Sequence, residues 1–202
     1  TTGSWRSAND DRVLFGSDAA WNAYQNNHWI NFDDLTMQDS FFNSHNVTAT
    51  GGNDRTTARM SVGYYGNKAH YKEGKSERYT LRANIDHKVH DWITTGMVTQ
   101  LTHNVRHNSP YQGLTSDVSN RVGSGIELGQ AYDSNGNVNR YPLGDSDYIN
   151  PLVNGTYDYS KVNERQGTNI MANGYINLTP IAGLSLRTSL SANFEFERTG
   201  KY

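Results

Sequence analysis

Pairs of histidines are the first residues whose spacing suggests chemistry. Of the seven histidines, His87 and His90 are three positions apart, and His103 and His107 are four positions apart. On a β-strand, side chains three positions apart point to opposite faces, so His87 and His90 do not converge on one ion. His103 and His107 share a face, but no carboxylate or cysteine partner is apparent nearby. The sequence therefore predicts no metal site.

A pair of glutamates raises the question of catalysis. Glu195 and Glu197 lie on the same face of a predicted strand, about 6.6 Å apart by strand rise. This separation superficially suits the paired carboxylates of a glycosidase. Catalysis also needs groups that converge on a pocket, and the residues around the pair instead indicate a polar wall in contact with water. We predict that the chain is not an enzyme and has no catalytic residue and no cofactor.

The run Asp133-Ser134-Asn135-Gly136-Asn137 begins like a calcium-binding loop. Such a loop needs glycine at its sixth position and a bidentate acid at its twelfth. Here those positions hold Val138 and Gly144. A β-turn is therefore predicted.

These residues lie in a chain dominated by strict alternation of apolar and polar side chains. The clearest stretch begins at Leu184. Its apolar face comprises Leu184, Leu186, Thr188, Leu190, Ala192, Phe194 and Phe196, and its polar face comprises Ser185, Arg187, Ser189, Ser191, Asn193, Glu195 and Glu197. This pattern predicts a β-strand with one apolar side, long enough to cross a bilayer on a tilt.

Five further stretches between Asn46 and Leu178 alternate in the same way. We predict an all-β, antiparallel segment of a transmembrane barrel, with six strands in three hairpins within residues 44–202. Turns at residues 51–54, 90–91 and 179–183 are short, whereas residues 109–163 are predicted as a long extracellular loop, the arrangement typical of outer-membrane barrels. Six strands do not close a barrel, and hydrocarbon does not tolerate open edges, so a larger wall is expected.

Residues 1–43 show no sustained period and are predicted as an outer loop. A possible short helix follows Phe15-Gly16, with Ser17 or Asp18 as its cap. Thr1 to Trp5 lacks the basic start and apolar run of a signal peptide. We expect that processing removed one or that the chain is an internal piece.

Composition agrees with a barrel wall. The chain has 202 residues, 35% hydrophobic content, a net charge of -2 and no cysteine. It contains no apolar run of about 18 residues, which excludes a membrane-spanning helix. The near-neutral charge without a basic run argues against nucleic acid as a partner.

Charged residues on the polar faces are the candidate substrate contacts. Charges that faced lipid would cost a few kcal/mol each at the midplane, so they are expected to face the lumen. The lumen-facing candidates for substrate binding are Arg78, Arg82, Asp86, Arg187, Glu195 and Glu197. Holding a plug or hydrating the wall is the favoured role, with direct substrate contact as the alternative.

Aromatic residues in the predicted loops are a second candidate set. They suit stacking on sugar rings or peptide side chains as well as packing among the loops, and neither role is favoured. They are Trp21, Trp29, Tyr111, Tyr132, Tyr141, Tyr148, Tyr157 and Tyr159.

Two stretches of this sequence resemble the SusC/RagA family of TonB-dependent outer-membrane transporters. The first runs from Phe41-Phe42-Asn43-Ser44-His45-Asn46 through Gly51-Gly52-Asn53-Asp54 to Gly63-Tyr64-Tyr65, and the second is Arg78-Tyr79-Thr80-Leu81-Arg82-Ala83-Asn84. Tyr141-Pro142 and Asn150-Pro151-Leu152 are similar to landmarks of the family's long loop. The sequence departs from the family's pattern at Gly66-Asn67-Lys68-Ala69.

The resemblance implies a barrel of about 22 strands with an N-terminal plug, of which this chain supplies roughly the second to the seventh strand. It implies TonB-dependent uptake of oligosaccharides or peptides in the bacterial outer membrane, with a SusD-like surface lipoprotein and the inner-membrane TonB complex as partners. The plug and the TonB box are not in this sequence. Two alternatives stay open: a passive porin or scaffold barrel, and a soluble β-sandwich that binds carbohydrate.

Overall fold

The six predicted strands are present and form the bulk of the molecule. The computed structural model of the chain describes residue 12 and residues 17–111, 127–144, 149–156 and 163–201. Its elements are α1 (Asp18–Gln25), α2 (Phe32–Thr36), β1 (Phe41–Gly52), β2 (Thr56–Lys68), β3 (Lys75–His90), β4 (Ile93–His107), a 3-10 helix (Pro151–Gly155), β5 (Asn163–Ile181) and β6 (Leu184–Lys201). The strands form one antiparallel sheet in the order β1-β2-β3-β4-β5-β6, which confirms the predicted fold class.

The strand register joins six separate patterns into two continuous faces. Residues directly opposite each other in neighbouring strands carry their side chains on the same face. One such row across the sheet is Val47, Val62, Leu81, Leu101, Ile170 and Phe194, and the adjacent row on the other face is Thr48, Ser61, Arg82, Gln100, Met171 and Asn193. A slip of one residue would move a whole strand's apolar set to the wrong face. One face is therefore mainly apolar along the middle of the sheet, and the opposite face is mainly polar.

Neither face of the sheet is covered within the described residues. On the apolar face Val47 is 73% exposed and Leu190 is 81% exposed. A β-sandwich would need a second sheet over these side chains, but the six strands of the described chain belong to a single sheet. The structure therefore contradicts the soluble β-sandwich alternative.

None of the helices that the structure describes is long and apolar enough to cross a membrane.

The two ends of the sheet differ in their connections. At one end, here called the turn end, the strands are joined by residues 53–55, 91–92 and 182–183. At the other, here called the loop end, they are joined by residues 69–74 and 108–162. The first hairpin turn lies later than predicted, because both glycines of Gly51-Gly52 belong to β1. Asn53 closes that turn by accepting hydrogen bonds from the backbone N–H groups of Arg55 (3.0 Å) and Thr56 (2.8 Å).

Helix α1 begins where a side chain satisfies its first turn. Ser17 is its N-cap, and the Ser17 hydroxyl accepts a hydrogen bond of 3.1 Å from the backbone N–H of Ala20. Such a cap satisfies one of the four N–H groups that lack a partner within the helix. Phe15 and Gly16, where the predicted helix signal begins, lie outside the described residues.

The hydrophobic core lies in the connecting segments rather than in the sheet. Ile30, Phe32, Ala131 and Leu152, here called the loop core, pack together and are buried, with Leu35, Tyr111 and Val138 against them. Backbone hydrogen bonds join the segments that supply it, from Ile30 to Glu127 (2.8 Å) and from Gly129 to His28 (2.9 Å). The segment before β1 and the segment between β4 and β5 therefore fold against each other at the loop end.

Asn150 connects the backbones around the loop core. Its side chain is almost fully buried, and its Nδ2 donates hydrogen bonds of 2.8 Å to the carbonyls of Ala131 and Asn139. Its Oδ1 accepts a bond of 3.0 Å from the N–H of Leu152. A buried polar group is tolerated when its hydrogen bonds are made, and here all three are made to backbone groups of the segments around the loop core.

Lys72 attaches the connection between β2 and β3 to the same assembly. Its ammonium group donates to the carbonyls of Asp34 (2.8 Å) and Leu35 (2.9 Å) at the end of α2. The Ser109 hydroxyl donates to the carbonyl of Lys72 at 2.6 Å. Three segments distant in sequence are thus joined by side-chain bonds to backbone carbonyls.

We predict that Asn150→Asp opens the loop core while leaving the sheet intact. The aspartate carboxylate can still accept the hydrogen bond from the N–H of Leu152. It cannot donate to the carbonyls of Ala131 and Asn139, so it faces two oxygen atoms without a proton between them. Leaving such groups unsatisfied costs about 1–3 kcal/mol each. Limited proteolysis of the intact barrel protein should cut between β4 and β5 at least tenfold faster. Asn135→Asp, in an exposed turn, is the matched control, and equal rates for both variants would contradict the assignment.

Candidate lumen-facing site

The six candidate residues all lie on the polar face of the sheet. Arg78, Arg82 and Asp86 alternate along β3, and Arg187, Glu195 and Glu197 alternate along β6, each in register with polar rows. They separate along the strands into a turn-end group with Asp86 and Arg187 and a loop-end group with Arg78, Glu195 and Glu197. Their role in substrate binding stays a prediction.

Tyr175 connects the turn-end group. The Tyr175 hydroxyl donates a hydrogen bond to Asp86 Oδ1, and the guanidinium carbon of Arg187 lies 3.9 Å from the centre of the Tyr175 ring. A cation over an aromatic face is attracted by the ring's negative face. Strands β3, β5 and β6 are therefore linked on the polar face by three side chains.

Gly96 makes the contact between Tyr175 and Asp86 possible. It lies on β4 in the same row, directly opposite both residues. A Cβ at this position would lie 2.4 Å from Asp86 Oδ1 and 2.5 Å from Tyr175 Cε1. The tyrosine ring therefore occupies the space over the glycine, and any larger residue would displace it.

Arg82, in the middle of the sheet, is held by its neighbours. Its Nε donates a 3.0 Å hydrogen bond to Gln100 Oε1, and Gln100 Nε2 donates to Thr102 Oγ1 at 3.2 Å. Further along the sheet, Asn173 Nδ2 donates to Ser191 Oγ at 2.6 Å. The bonds of Arg82 and Asn173 run between neighbouring strands, whereas the bond from Gln100 to Thr102 lies within β4. The polar side chains in the middle of this face are therefore bonded to one another.

The loop-end group lines a depression of about 530 Å³. Its charged and aromatic lining comprises Tyr65, Glu77, Arg78, Arg106, Arg165, Glu195 and Glu197. Arg165 forms an ion pair with Glu197. The guanidinium carbon of Arg78 lies 5.1 Å from the centre of the Tyr65 ring. Within the described part of the chain, neither Arg78 nor Arg106 has a carboxylate at ion-pair distance.

The depression can therefore present charges of both signs to a bound molecule. Two guanidinium groups, those of Arg78 and Arg106, can receive carboxylates or phosphates, and Arg is well suited to bidentate recognition of both. The Glu195 carboxylate can receive ammonium or hydroxyl groups. Arg106 and Arg165 were not among the predicted candidates, because their strands lack a clear alternating pattern at these ends.

The histidines are engaged with neighbouring strands. His87 Nδ1 lies 2.8 Å from Thr56 Oγ1, and His103 Nδ1 lies 2.9 Å from Thr168 Oγ1. His107 has a carboxylate partner that sequence reasoning missed, because Glu164 Oε2 of the paired strand lies 3.3 Å from its Nδ1. Among the described residues, no three histidine, aspartate or glutamate side chains come together as a metal-binding group.

The predicted turn at Asp133 is confirmed. The backbone N–H of Gly136 donates to the Asp133 carbonyl at 3.0 Å. Asp133 Oδ1 accepts hydrogen bonds from the N–H groups of Asn135 (2.9 Å) and Asn137 (2.8 Å). The backbone and side-chain bonds from Asn137 lower the pKa of Asp133. Its carboxylate is thus used within the turn.

Three of the loop aromatics form a cluster on α1 and the segment after it. The Trp21 and Tyr24 rings are stacked with centroids 5.8 Å apart, and Trp29 meets Tyr24 edge-on at 6.1 Å. Tyr111 instead packs against the loop core, and Tyr141 lies beside Arg140, whose guanidinium carbon is 5.6 Å from its ring centre. Tyr132 is 45% exposed. Tyr148, Tyr157 and Tyr159 lie outside the described residues.

Comparison with known proteins agrees with the barrel geometry. No family model matches the chain. A curated protein of Formosa agariphila, named TonB-dependent receptor P26, is 23% identical over 180 residues, which cover 89% of this chain and 17% of that protein. Among solved structures, the RagAB peptide transporter matches with a TM-score of 0.68 and 17% identity. The RagAB peptide importer in its closed-closed state matches with a TM-score of 0.64 and 16% identity.

Both structural matches cover 98% of this chain but only 24% of the solved chain. The chain therefore spans much less than two thirds of the relatives it matches. The printed names of these relatives describe a receptor and transporters rather than enzymes.

Geometry and comparison together define a class of protein. A single antiparallel sheet with one continuous apolar face and one polar face is a piece of the wall of a transmembrane β-barrel. The particular barrel fold is the one found in RagAB, and the chain is also similar in sequence to a TonB-dependent receptor. The resemblance to the SusC/RagA family therefore holds at the level of the fold. Such barrels lie in the bacterial outer membrane and cross it many times.

We predict that Gly96→Ala destabilises the intact barrel. The added Cβ overlaps Asp86 and Tyr175, and overpacking of this kind typically costs about 1–3 kcal/mol. The matched control is Gly167→Ala on the same face of β5, where an added Cβ meets nothing within 4 Å. The temperature at which the barrel loses its compact migration on a gel should fall for Gly96→Ala alone.

A second prediction concerns the Asp133 turn and pH. Because the pKa of Asp133 is lowered in the folded turn, the stabilising bonds are fully present above the ordinary carboxyl value of about 3.9 and are lost as pH falls through the lower folded value. Exchange of the Asn135 and Asn137 amide hydrogens, corrected for intrinsic rates, should speed up in that range. In Asp133→Asn the corrected rates should not change with pH, and a persistent pH dependence would contradict the assignment.

Proposed function

We propose that this chain is part of an active importer that takes up oligosaccharides or peptides across the outer membrane with energy from the TonB complex. The observation that carries the proposal is that the six strands together form one apolar face and one charged, polar face. A transport barrel needs both, an apolar surface toward lipid and a charged surface toward the lumen. Its likeness to RagAB, a protein described as a peptide transporter, supports this choice.

The wall's part in transport follows from its two faces. The apolar face holds the barrel in lipid. In the middle of the polar face, side chains that are hydrogen-bonded to one another give the lumen a hydrated wall. The turn-end group of Asp86, Tyr175 and Arg187 stiffens the wall where the strands meet the periplasm. Movement of a plug, supplied by a part of the protein outside this chain, would open the path.

The loop end would face the outside of the cell, because outer-membrane barrels carry their long connections there. The segment before β1 and the segment between β4 and β5 would then form an extracellular cap around the loop core. A SusD-like surface lipoprotein would close the mouth above it. The depression with Arg78, Arg106 and Glu195 lies at the same end of the strands, on the polar face, and would face the entrance to the lumen.

The charges in the depression favour peptides over neutral oligosaccharides. A peptide carries carboxylates, ammonium groups and backbone amides, which match two free guanidinium groups and a free carboxylate. A neutral sugar is recognised mainly by hydroxyl bonds and aromatic stacking. Among the described residues that line the depression, only Tyr65 offers a ring, which already lies beside Arg78.

The test of active transport uses the full-length protein that contains this segment. In cells that lack other importers for the same substrate, we expect uptake of a labelled peptide pool to fall to background when the TonB gene is deleted. A passive porin would continue to admit peptides without TonB, and a scaffold barrel would admit none in either strain. Either of those results would contradict the proposal.

A charge-removal variant tests the substrate class. We predict that Arg78→Gln with Arg106→Gln raises the peptide concentration needed for half-maximal uptake by at least tenfold, since the loss of even one hydrogen bond to a charged group costs roughly 1.5–3 kcal/mol. Arg59→Gln with Lys88→Gln removes two positive charges from the same face nearer the turn end and should leave it unchanged. Equal effects of the two double variants would show that the depression is not the contact site.

A further inference from the structure

The outward face carries a pair of lysines above its apolar band. Lys68 of β2 and Lys75 of β3 are directly opposite each other, both exposed, on the same face as Val62 and Leu81. Like charges directly opposite each other across two strands are destabilising. Within the described residues, neither lysine has a carboxylate at ion-pair distance. Neither lysine is therefore held in an ion pair within the described part of the chain.

The height of this pair relative to the membrane follows from a row of aromatic rings. His45, Tyr64, Tyr79 and His103 are neighbours across β1 to β4, with successive centroids 6.3, 5.3 and 6.4 Å apart. Rows of aromatic residues mark the membrane–water interface of outer-membrane barrels. The lysines lie four residues beyond this row, or about 13 Å along the strand. On a strand tilted by roughly 45° they stand about 9 Å above the interface, within the headgroup layer.

A depression of about 340 Å³ surrounds the lysine pair on the outward side. Its lining includes Phe41, Asn43, Lys68, Glu73, Lys75 and Glu77. Phe41 is 65% exposed and directly opposite Lys68. The depression thus combines two cations, two carboxylates and an exposed ring immediately above an apolar surface.

Asn43 supplies an unused acceptor in this depression. Its side-chain oxygen is buried and accepts no hydrogen bond from the described part of the chain. A buried acceptor without a partner costs free energy, so such groups are normally satisfied by a ligand, water or neighbour. The Glu77 carboxylate has one weak partner, the Tyr64 hydroxyl at 3.4 Å. The site therefore has acceptors for hydroxyl groups as well as cations for an anion.

We propose that this depression binds the phosphorylated sugar headgroup of a glycolipid in the outer leaflet. Lys68 and Lys75 bind the phosphate, while the carboxylates of Glu73 and Glu77 accept hydrogen bonds from sugar hydroxyls. The acyl chains lie on the apolar face below, along Tyr64 and Val62. Lysine stems can bend toward the interface to reach a phosphate. The two carboxylates set this site apart from a plain basic patch, since they select a headgroup with hydroxyl donors.

The site is independent of the cargo that the barrel imports, because it lies on the opposite face of the sheet from the lumen. It depends only on the placement of the wall in the outer membrane. A lipid held here would bridge β1, β2 and β3 at their loop ends and would neutralise the opposed lysines. We therefore expect the bound glycolipid to stabilise this part of the wall.

The test uses the full-length protein containing this segment in nanodiscs of a neutral phospholipid with a small fraction of diphosphorylated lipid A as the probe. Native mass spectrometry counts the lipid A molecules that stay bound. Lys68→Gln with Lys75→Gln should weaken retention by about tenfold, since each lysine near an anionic surface contributes roughly 1 kcal/mol. Arg59→Gln with Lys88→Gln removes two positive charges from the polar face and should retain lipid A like the unaltered protein.

Three results would overturn the proposal. One is equal retention of lipid A by the lysine double variant and the unaltered protein. Another is equal retention of dephosphorylated lipid A, which would remove the role of the phosphate. The third is equally tight binding of soluble glucosamine phosphate, which would show that no lipid is required. If the double variant fails to insert, Lys68→Gln and Lys75→Gln are measured singly, and each should weaken retention by about threefold to fivefold.

Discussion

The unbroken register of the sheet is the constraint on which the rest of this structure depends. Hydrocarbon offers no hydrogen-bond partners, so every backbone N–H and C=O in the membrane must be satisfied by a neighbouring strand. The strands meet this demand by remaining paired for up to 19 residues in β5, with irregularities near two turns, at Lys88/His90 and Leu178/Ile181. Within the described residues the outer edges of β1 and β6 have no strand partner, so the wall must continue on both sides.

The same register decides where the polar chemistry lies. Because side chains alternate along a strand, the charged residues lie on the face opposite the apolar residues. Pairing between strands then brings charged residues from distant parts of the chain together. Asp86 and Tyr175 are 89 positions apart and share a hydrogen bond. Arg165 and Glu197 form an ion pair across β5 and β6. Packing against a conventional core plays little part in the sheet, and the buried apolar side chains lie instead in the loop core beside it.

Much of the fold could be predicted because alternation is a local signal. Leu184 to Phe196 shows both faces of β6 without any knowledge of its neighbours, and the six predicted candidates were assigned to the correct face for the same reason. The partners of those candidates required the register, which no single strand contains. The ring of Tyr175 over Gly96 and the pairing of His107 with Glu164 are visible only when β3, β4 and β5 are aligned. Asn150 belongs to a stretch that is similar to the family's long loop. Its three backbone partners could not be predicted, because they come from loop segments without any periodic pattern.

The central claim is that the apolar face of this sheet contacts lipid and the polar face contacts the lumen. The most direct measurement places single spin labels at consecutive positions from Leu186 to Phe194 in the full-length protein, reconstituted in a bilayer. The account predicts that collision with dissolved oxygen alternates with a period of two, with maxima at the even-numbered positions from Leu186 to Phe194. Collision with a water-soluble nickel complex should alternate in the opposite phase. Uniform accessibility along the strand, or maxima for oxygen at Arg187, Ser189 and Ser191, would contradict it.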